Sequence, residues 1–198
     1  MEQREKNENK TIACIFFDCF GVILDEVAPI WMSERFPEEK AAELLSTLIR
    51  SGDLGLIRER EIFEKLGELS GEDPADVRRA WAFEPRQRRD VIDMIKSLRG
   101  RYKTVLLSNA LENIVENNLG EELGEMFDDV IISNRIGMAK PDANIFEYAV
   151  KKAGVPAGRC LFTDDNPVNV AAAEKSGING IVFRSSAQFL SELEKFRL

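Results

Sequence analysis

Histidine is absent from all 198 residues of the sequence. This absence excludes hydrolases that use a histidine base, zinc sites with histidine ligands, and histidine acid–base catalysis. Any catalysis must therefore use carboxylates, lysine, arginine, hydroxyls, thiols, or a hard metal ion held by oxygen atoms.

Cysteine is scarce, and long hydrophobic runs are missing. The three cysteines, Cys14, Cys19 and Cys160, have neither the number nor the spacing of a disulfide framework or a zinc finger. Apolar runs such as 12–17 are too short to cross a bilayer, and residues 1–10 lack the hydrophobic region of a signal peptide. We therefore expect a cytoplasmic protein with reduced thiols and a flexible tail over residues 1–10.

Positive charge is also in deficit. The chain has 35 acidic and 27 basic residues, a formal net charge of -8. Proteins that bind nucleic acid usually present a basic face, so a nucleic-acid partner is not expected. We expect a small-molecule ligand, no membrane partner, and a monomer or homodimer.

Short apolar segments recur along the chain and predict strands that are buried on both faces of a parallel sheet. These segments are 11–18, 103–109, 129–133, 160–165 and, more weakly, 180–183. Helical patterns alternate with them at 86–99, 111–118, 141–153, 167–176 and 186–196. Pro141 and Pro167 suit the first turns of their helices, and Gly154 and Gly177 suit the positions after the last turns. The alternation predicts an α/β fold, a doubly wound, Rossmann-like parallel sheet with helices on both faces.

About 85 residues separate the first predicted strand from the second. Three segments in this stretch, 37–50, 58–71 and 73–83, have helical periodicity. A crossover needs only about a dozen residues, so the stretch is interpreted as an inserted helical cap subdomain. We place the cap at 26–85 and the α/β core at 11–25 and 86–198.

Polar side chains stand where the predicted strands end, and ligands of open α/β sheets bind at this edge. They are Asp18 after the first strand, Ser108 and Asn109 after the second, Ser133 after the third, and Thr163, Asp164 and Asp165 after the fourth. Lys140 precedes the helix between the third and fourth strands. Each residue alone could be a helix cap or a surface charge. Their joint placement predicts a functional site.

Three of these groups, Asp18, Asp164 and Asp165, are carboxylates. Two charges ~4 Å apart repel by ~4 kcal/mol at an effective dielectric of 20, so three need cations beside them. A Mg²⁺ ion and the ammonium of Lys140 would balance the charge, and Mg²⁺ prefers oxygen ligands. The sequence thus predicts Mg²⁺ as the cofactor.

Four ordered motifs resemble those of the haloacid dehalogenase superfamily, in its phosphatase branch with a helical cap after the first strand. They are FFDCFGVIL with the nucleophile, LLSNA, MAKPDANIF with the lysine, and FTDDNPVNVAAAEKSGI with the acidic pair. Their sequences look most similar to the subgroup of bacterial sugar-phosphate phosphatases and epoxide-hydrolase-type N-terminal domains.

The resemblance implies catalytic roles for Asp18, Ser108 and Lys140, and substrate binding by Ser108, Asn109 and Lys140. Asp18 would attack phosphorus and form an aspartyl-phosphate that water then hydrolyses. Ser108 and the backbone of Asn109 would hold phosphate oxygens, and Lys140 would neutralise charge shared by the phosphate and Asp18. The expected substrate is a small phosphorylated metabolite resembling a sugar phosphate.

The resemblance also implies a metal site. Asp18, Asp164 and Asp165 would hold Mg²⁺ together with the backbone carbonyl of Phe20. Asn169 would contact these ligands rather than the ion itself.

Phe20 breaks the phosphatase pattern, because the family usually has a second aspartate there that protonates the leaving group. Three hypotheses follow. The first is a phosphatase whose leaving group needs little protonation, or whose acid comes from the cap or from water. The second is a metal-free 2-haloacid dehalogenase, which the adjacent Asp164 and Asp165 disfavour. The third is a catalytically impaired protein that keeps a phosphate and Mg²⁺ pocket.

Cap residues would select the substrate. Trp31, Arg35, Arg58 and Trp81 are the candidates for this role, although a place in the core or on the surface of the cap is the more common one for such residues.

Overall fold

The computed structural model describes residues 11–82 and 86–196, and the predicted tail at 1–10 lies outside them. Five parallel strands form one sheet in the order β3-β2-β1-β4-β5. The strands are β1 (Cys14–Phe17), β2 (Lys103–Ser108), β3 (Asp129–Ile132), β4 (Cys160–Asp164) and β5 (Asn179–Val182). All five predicted strands are therefore present, and the fold prediction is confirmed.

Twelve α-helices are found in the described residues. Those that follow the strands or join them are α6 (Arg89–Leu98), α7 (Ile114–Leu119), α8 (Glu122–Met126), α9 (Ser133–Ile136), α10 (Ala143–Ala153), α11 (Pro167–Lys175) and α12 (Ser186–Leu193). Short 3₁₀ turns lie at Ala157–Arg159 and Glu194–Phe196.

The sheet is covered on both faces because alternate strand residues point to opposite sides. Ile15 and Phe17 of β1 pack into the cluster that contains the apolar faces of α6 and α12. Cys14 and Phe16 pack into the other cluster, with α10 and α11. This arrangement is the doubly wound one that the continuous apolar runs predict.

Helices fill the described part of the stretch between β1 and β2. They are α1 (Ala28–Arg35), α2 (Glu38–Leu44), a π-helical turn (Leu45–Ile49), α3 (Arg50–Asp53), α4 (Glu59–Ser70) and α5 (Pro74–Ala82). These inserted helices, α1 to α5 with the π-helical turn, bury a hydrophobic cluster of their own, built around Trp31, Phe63 and Trp81. Helices within 37–50, 58–71 and 73–83 were predicted, whereas α1, α3 and the π-helical geometry of Leu45–Ile49 were not. The exact limits of a cap subdomain remain a prediction.

Three helix boundaries differ from the prediction. Pro141 lies before α10 rather than in its first turn, because the Asp142 amide donates to the carbonyl of Ala139 and closes a turn that ends at the helix N-cap, Asp142. The helix predicted from 111 begins only at Ile114, because Asn113 has a φ of 63°. The helix predicted over 86–99 spans Arg89–Leu98, since Gln87 instead forms a β-bridge with Leu24.

The other helix-end predictions are confirmed. Pro167 is the first residue of α11, and Gly154 and Gly177 follow their helices with φ of 69° and 81°. All three cysteines are free and buried. No helix within residues 11–82 and 86–196 has the length and apolar character that a bilayer crossing requires.

Candidate active site

Asp18, Lys140 and Asp164 meet at the carboxyl edge of the sheet. The Lys140 Nζ atom lies 2.6 Å from Asp18 Oδ1 and 2.7 Å from Asp164 Oδ2, and all three residues are buried. Asp165 belongs to the same cluster, because one carboxylate oxygen from each aspartate lies within 4.8 Å of the others. The structure thus brings together the three aspartates predicted from the strand ends and the lysine predicted before the helix between the third and fourth strands.

The sheet topology accounts for this meeting. β1 lies between β2 and β4, and the chain reverses its direction of winding between β1 and β4. The Asp18 amide donates to the carbonyl of Thr163 at 3.0 Å, which extends the β1–β4 pairing and sets Asp18 beside Asp164. Ligands of doubly wound sheets bind at such a switch point.

Gly21 lets the loop after β1 approach Asp165. Its φ is 76°, and a Cβ atom placed on it would lie 2.2 Å from Asp165 Oδ2. Only glycine meets both requirements, since a side chain would be strained by the backbone and would collide with the carboxylate.

The backbone of Lys140 is held on two sides. The side-chain amide of Asn109 donates to the Lys140 carbonyl and accepts from the Lys140 amide, both at 2.9 Å. From the inserted helices, Arg50 Nη1 donates to the same carbonyl at 2.6 Å and also pairs with Asp142. The lysine is therefore positioned by one residue after β2 and one residue of α3.

Asp164 accepts hydrogen bonds from its own loop and helix. The Asn166 amide donates to Oδ1 at 2.8 Å, and Asn169 Nδ2 lies 3.0 Å from Oδ2 and 3.2 Å from Oδ1. Asn166 is also the N-cap of α11 and accepts from the Val168 amide. These contacts fix the orientation of the carboxylate.

The electrostatics of the cluster are strongly perturbed. Burial and the neighbouring charge of Asp164 raise the pKa of Asp18 well above its ordinary value, although Lys140 opposes the shift. Burial and the charge of Asp164 also raise the pKa of Asp165. Burial by itself lowers the pKa of Lys140, but the charges of Asp164 and Asp18 outweigh it, so that pKa lies above its ordinary value. The Lys140 side chain is therefore protonated, but its single positive charge does not balance the three carboxylates around it.

A cavity of about 330 Å³ opens above the cluster. Its polar end contains the four charged residues with Asn109, Asn166 and Asn169, and its walls are mostly apolar. Two further carboxyl groups, those of Glu26 and Asp53, also line it. Burial, reinforced by the charge of Asp165, raises the pKa of Glu26 to about 7. Burial likewise raises the pKa of Asp53 to about 7, against Arg50 and Lys140.

The other predicted site residues differ in position. Phe20 lines the cavity and packs against both the sheet core and the cluster of the inserted helices. Ser108 is fully buried and is not among the described lining residues, and its hydroxyl lies 3.4 Å from the Asn109 carbonyl. Two other strand-end groups are also buried, Ser133, which accepts from the Ala110 amide at 3.1 Å, and Thr163.

Of the four specificity candidates, Trp81 alone is among the described lining residues. Trp31 packs edge-on against Trp81 inside the helical cluster. Arg35 stacks on Trp31 and pairs with Glu72. Arg58 is the exposed N-cap of α4, and its backbone amide donates to Glu61 Oε2 at 3.0 Å.

Sequence reasoning missed Glu26, Arg50 and Asp53. Glu26 follows the first strand, and Arg50 and Asp53 lie at or just beyond the end of a predicted helix, but no motif at these positions separates them from ordinary surface charges. Only the packing of the inserted helices over the sheet edge brings these three side chains to the site.

The donor set of the cluster fits a hard divalent cation. Three carboxylates from two adjacent strand ends supply oxygen atoms alone, and their mutual repulsion is relieved by a bound cation. The residues that would hold Mg²⁺ are Asp18, Asp164 and Asp165, and the carbonyl of Phe20 is predicted to join them.

Comparison with known proteins identifies the family of the chain. The sequence profile of the haloacid dehalogenase-like hydrolases matches residues 12–177. The chain belongs to this hydrolase family. It is 26% identical over 197 aligned positions to D-ribitol-5-phosphate phosphatase of Bacteroides thetaiotaomicron, covering 90% of this chain and 95% of that protein. A shorter match, 32% identity over 68 residues, covers 13% of drimenol cyclase drtB of Aspergillus calidoustus.

The family's fold also appears among solved structures. HAD family enzyme bt-2542 of Bacteroides thetaiotaomicron superposes with a TM-score of 0.77 at 22% identity, covering 90% of this chain and 98% of that one. The same enzyme in complex with magnesium and inorganic phosphate has a TM-score of 0.72 at 22% identity and covers 87% and 94%. At this level of identity the likeness is one of fold.

Proposed function

We propose that this HAD-like hydrolase is a Mg²⁺-dependent phosphatase that cleaves a small phosphorylated metabolite through an aspartyl-phosphate on Asp18. The observation that carries the proposal is the position of Lys140 Nζ between Asp18 and Asp164, with Asp165 in the same cluster. A carboxylate nucleophile beside a fixed ammonium and an oxygen-only metal site suits phosphoryl transfer.

In the first step, an Asp18 oxygen attacks phosphorus as the ester P–O bond breaks and the leaving alkoxide takes a proton. The Cys19 amide and Lys140 both hold Asp18 Oδ1, which leaves Oδ2 as the attacking atom. Lys140 also neutralises charge on the phosphoryl oxygens as it builds up.

In the second step, a water oxygen attacks phosphorus and the bond to Asp18 breaks. The products are inorganic phosphate and the regenerated carboxylate. Mg²⁺, when bound, would polarise the phosphoryl oxygens and offset the carboxylate charge. We propose that Asn109 keeps Lys140 in register and that Asn169 keeps Asp164 in register through both steps.

We further propose that residues 26–85 act as a cap. In support, residues of α1, the π-helical turn, α3 and α5 line the cavity that opens on the carboxylate cluster. Covering this edge would exclude water from the nucleophile and would bring Asp53 or Glu26 to the leaving group as the acid that Phe20 cannot supply. The cytoplasmic location and the monomeric or dimeric state remain predictions.

The decisive experiment measures phosphate release from p-nitrophenyl phosphate, with and without EDTA, followed by acid quenching and peptide mass analysis. The proposal expects EDTA-sensitive release and a phosphoryl group on the peptide that contains Asp18. Halide release from 2-chloropropionate without metal would favour the dehalogenase hypothesis instead. Tight Mg²⁺ binding without either reaction would favour the impaired binding protein.

A further inference from the structure

The walls of the cavity are largely hydrocarbon. They come from the start of α1, the π-helical turn, α5, and the segment between β2 and α7. The wall residues used below are Val27, Leu45, Ile49, Trp81, Leu111 and Ile114. Ile49, Trp81, Leu111 and Ile114 are each at most 8% exposed, so little of their surface is open to solvent. A ligand held at the carboxylate end would have its organic part against this surface.

The π-helical turn makes the wall unusual. Leu45 and Ile49 are the first and last residues of that turn, and both line the cavity. A π-helical turn inside an α-helix is rare and is found mostly at functional sites. Ile49 also belongs to the same buried cluster as Leu111 and Ile114. The π-helical turn and the residues before α7 therefore form one continuous hydrophobic cluster behind the wall.

Charge on the wall disfavours an anionic leaving group. Among the described residues that line the cavity, Lys140 is the only cation, and it already pairs with two carboxylates. The nearby wall groups that ionise, Glu26 and Asp53, are acids. A second phosphate or a carboxylate on the leaving group would therefore find no further cation among these described lining residues to balance its charge.

The wall also disfavours a polyol. The carboxyls of Glu26 and Asp53 and the indole nitrogen of Trp81, which has no hydrogen-bond partner in the described structure, are the polar wall groups. A chain with a hydroxyl on every carbon would bury several of them against hydrocarbon, where their hydrogen bonds to water are lost without replacement.

We infer that the alcohol released by this enzyme is uncharged and apolar, so that the substrate is the phosphate monoester of an aliphatic alcohol. The inference rests on the proposed phosphatase activity and replaces the sugar-like leaving group expected from the family resemblance. Lys140 and the Mg²⁺ that the carboxylates would bind hold the phosphate, and the wall selects the chain by excluding water from it.

The test is a series of n-alkyl phosphates from ethyl to hexyl, compared with ribitol 5-phosphate under the same Mg²⁺ concentration. The value of kcat/KM is expected to rise about fourfold for each methylene that the wall buries, and ribitol 5-phosphate is expected to react more slowly than the pentyl ester. Equal values for ethyl and hexyl phosphate, or a faster reaction with ribitol 5-phosphate, would overturn the inference.

Two variants locate the effect. Leu45→Ser puts a hydroxyl into the wall and is expected to lower the hexyl-to-ethyl ratio of kcat/KM by at least fourfold. Leu56→Ser makes the same change at a side chain that is 72% exposed and is not among the described lining residues, so its ratio is expected to equal that of the parent. Equal ratios in the parent and Leu45→Ser would contradict the placement of the chain.

Failure of the proposed function is distinguishable from failure of this inference. If no phosphate ester, including p-nitrophenyl phosphate, is hydrolysed, the phosphatase proposal falls. The binding of ethylphosphonate and hexylphosphonate, which cannot react, is then measured by calorimetry in the presence of Mg²⁺. Tighter binding of hexylphosphonate supports the apolar wall as a recognition surface, and equal or weaker binding overturns it.

Discussion

The side-chain amide of Asn109 makes two hydrogen bonds of 2.9 Å to the main chain of Lys140, one through its nitrogen and one through its oxygen. This paired contact joins the end of β2 to the loop that carries the site's lysine. It fixes the backbone from which the ammonium reaches Asp18 and Asp164. Only a side-chain amide offers a donor and an acceptor in this geometry.

Asn109→Ala is expected to lower kcat by roughly 10- to 100-fold, because a small displacement of Lys140 misplaces it against the phosphate. Steady-state kinetics with p-nitrophenyl phosphate measure the loss. Asn117→Ala, at an exposed position of α7, is the matched control and should retain parental kcat. Parental kcat in Asn109→Ala would show that the two hydrogen bonds from Asn109 to the Lys140 backbone do not serve catalysis.

Asp18→Asn is expected to abolish turnover, because the amide cannot attack phosphorus. The fold should persist, and without Mg²⁺ the melting temperature should not fall, since the change removes a buried charge that Asp164 destabilises. Circular dichroism and phosphate release measure the two effects. Asp93→Asn, on the exposed face of α6, is the control. Turnover within tenfold of the parent would remove Asp18 as the nucleophile.

Gly21→Ala is expected to weaken Mg²⁺ binding without altering any carboxylate, because the new Cβ would collide with Asp165 Oδ2. Gly71→Ala is its matched control: its φ is 78°, close to the 76° of Gly21, but a Cβ there meets nothing within 4 Å. Both variants should lose comparable stability from backbone strain. Only Gly21→Ala should lose the Mg²⁺-dependent rise in melting temperature; equal rises in both would argue against Asp165 as a ligand.

Phe20→Asp is expected to speed hydrolysis of alkyl phosphates by at least tenfold and that of aryl phosphates much less. The new carboxyl restores a general acid, and alkoxides need protonation more than phenoxides do. Phe20→Leu keeps the apolar contacts without the acid and should give no such gain. Equal or lower rates on both ester types in Phe20→Asp would count against our interpretation of this position.

Asp53 couples stability to pH. Its pKa of about 7 in the fold exceeds the ordinary 3.8, so the folded protein holds a proton that the unfolded chain has released between about pH 4 and pH 7. Stability from this group is thus complete below pH 4 and is lost as the pH rises through 7.

Asp53→Asn removes that loss. Its melting temperature should exceed that of the parent at pH 8, by about 2–4 °C for each kcal/mol recovered, and the gain should shrink towards pH 4. Thermal melts at several pH values measure it, with Asp93→Asn as the control that shows no such trend. A gain that is equal at all pH values would mean that ionisation of Asp53 is not the cause.

The sequence was a good guide wherever one short stretch carried the information. Apolar runs predicted all five strands, and the polar residues at their ends, with Lys140 before a helix, predicted the cluster of Asp18, Lys140 and Asp164. The helix starts at 111 and 141 were misplaced because the local backbone conformation decides them: Asn113 has a φ of 63°, and the Asp142 amide closes a turn on the carbonyl of Ala139.

The cavity itself was beyond sequence reasoning. Burial is the main cause of the raised pKa values of Glu26 and Asp53, and the charge of Asp165 adds to it for Glu26. Arg50 similarly gains its role from a carbonyl 90 positions away in the chain. A helical period reports which face of a helix is apolar, but not which neighbour covers it.

Arg50 has a further consequence for how the enzyme cycles. Its guanidinium connects the inserted helices to the loop that carries Lys140 by donating to the Lys140 carbonyl. Asn134 makes a second hydrogen bond to the inserted helices by donating to the carbonyl of Gly52 at 2.7 Å. If the inserted helices move outward to admit substrate, the contacts of Arg50 and Asn134 either stay intact as the hinge of that motion or break. If the contacts break, the loop that carries Lys140 loses this support at every opening. The rate at which the contacts re-form then limits how soon Lys140 is positioned for the next turnover.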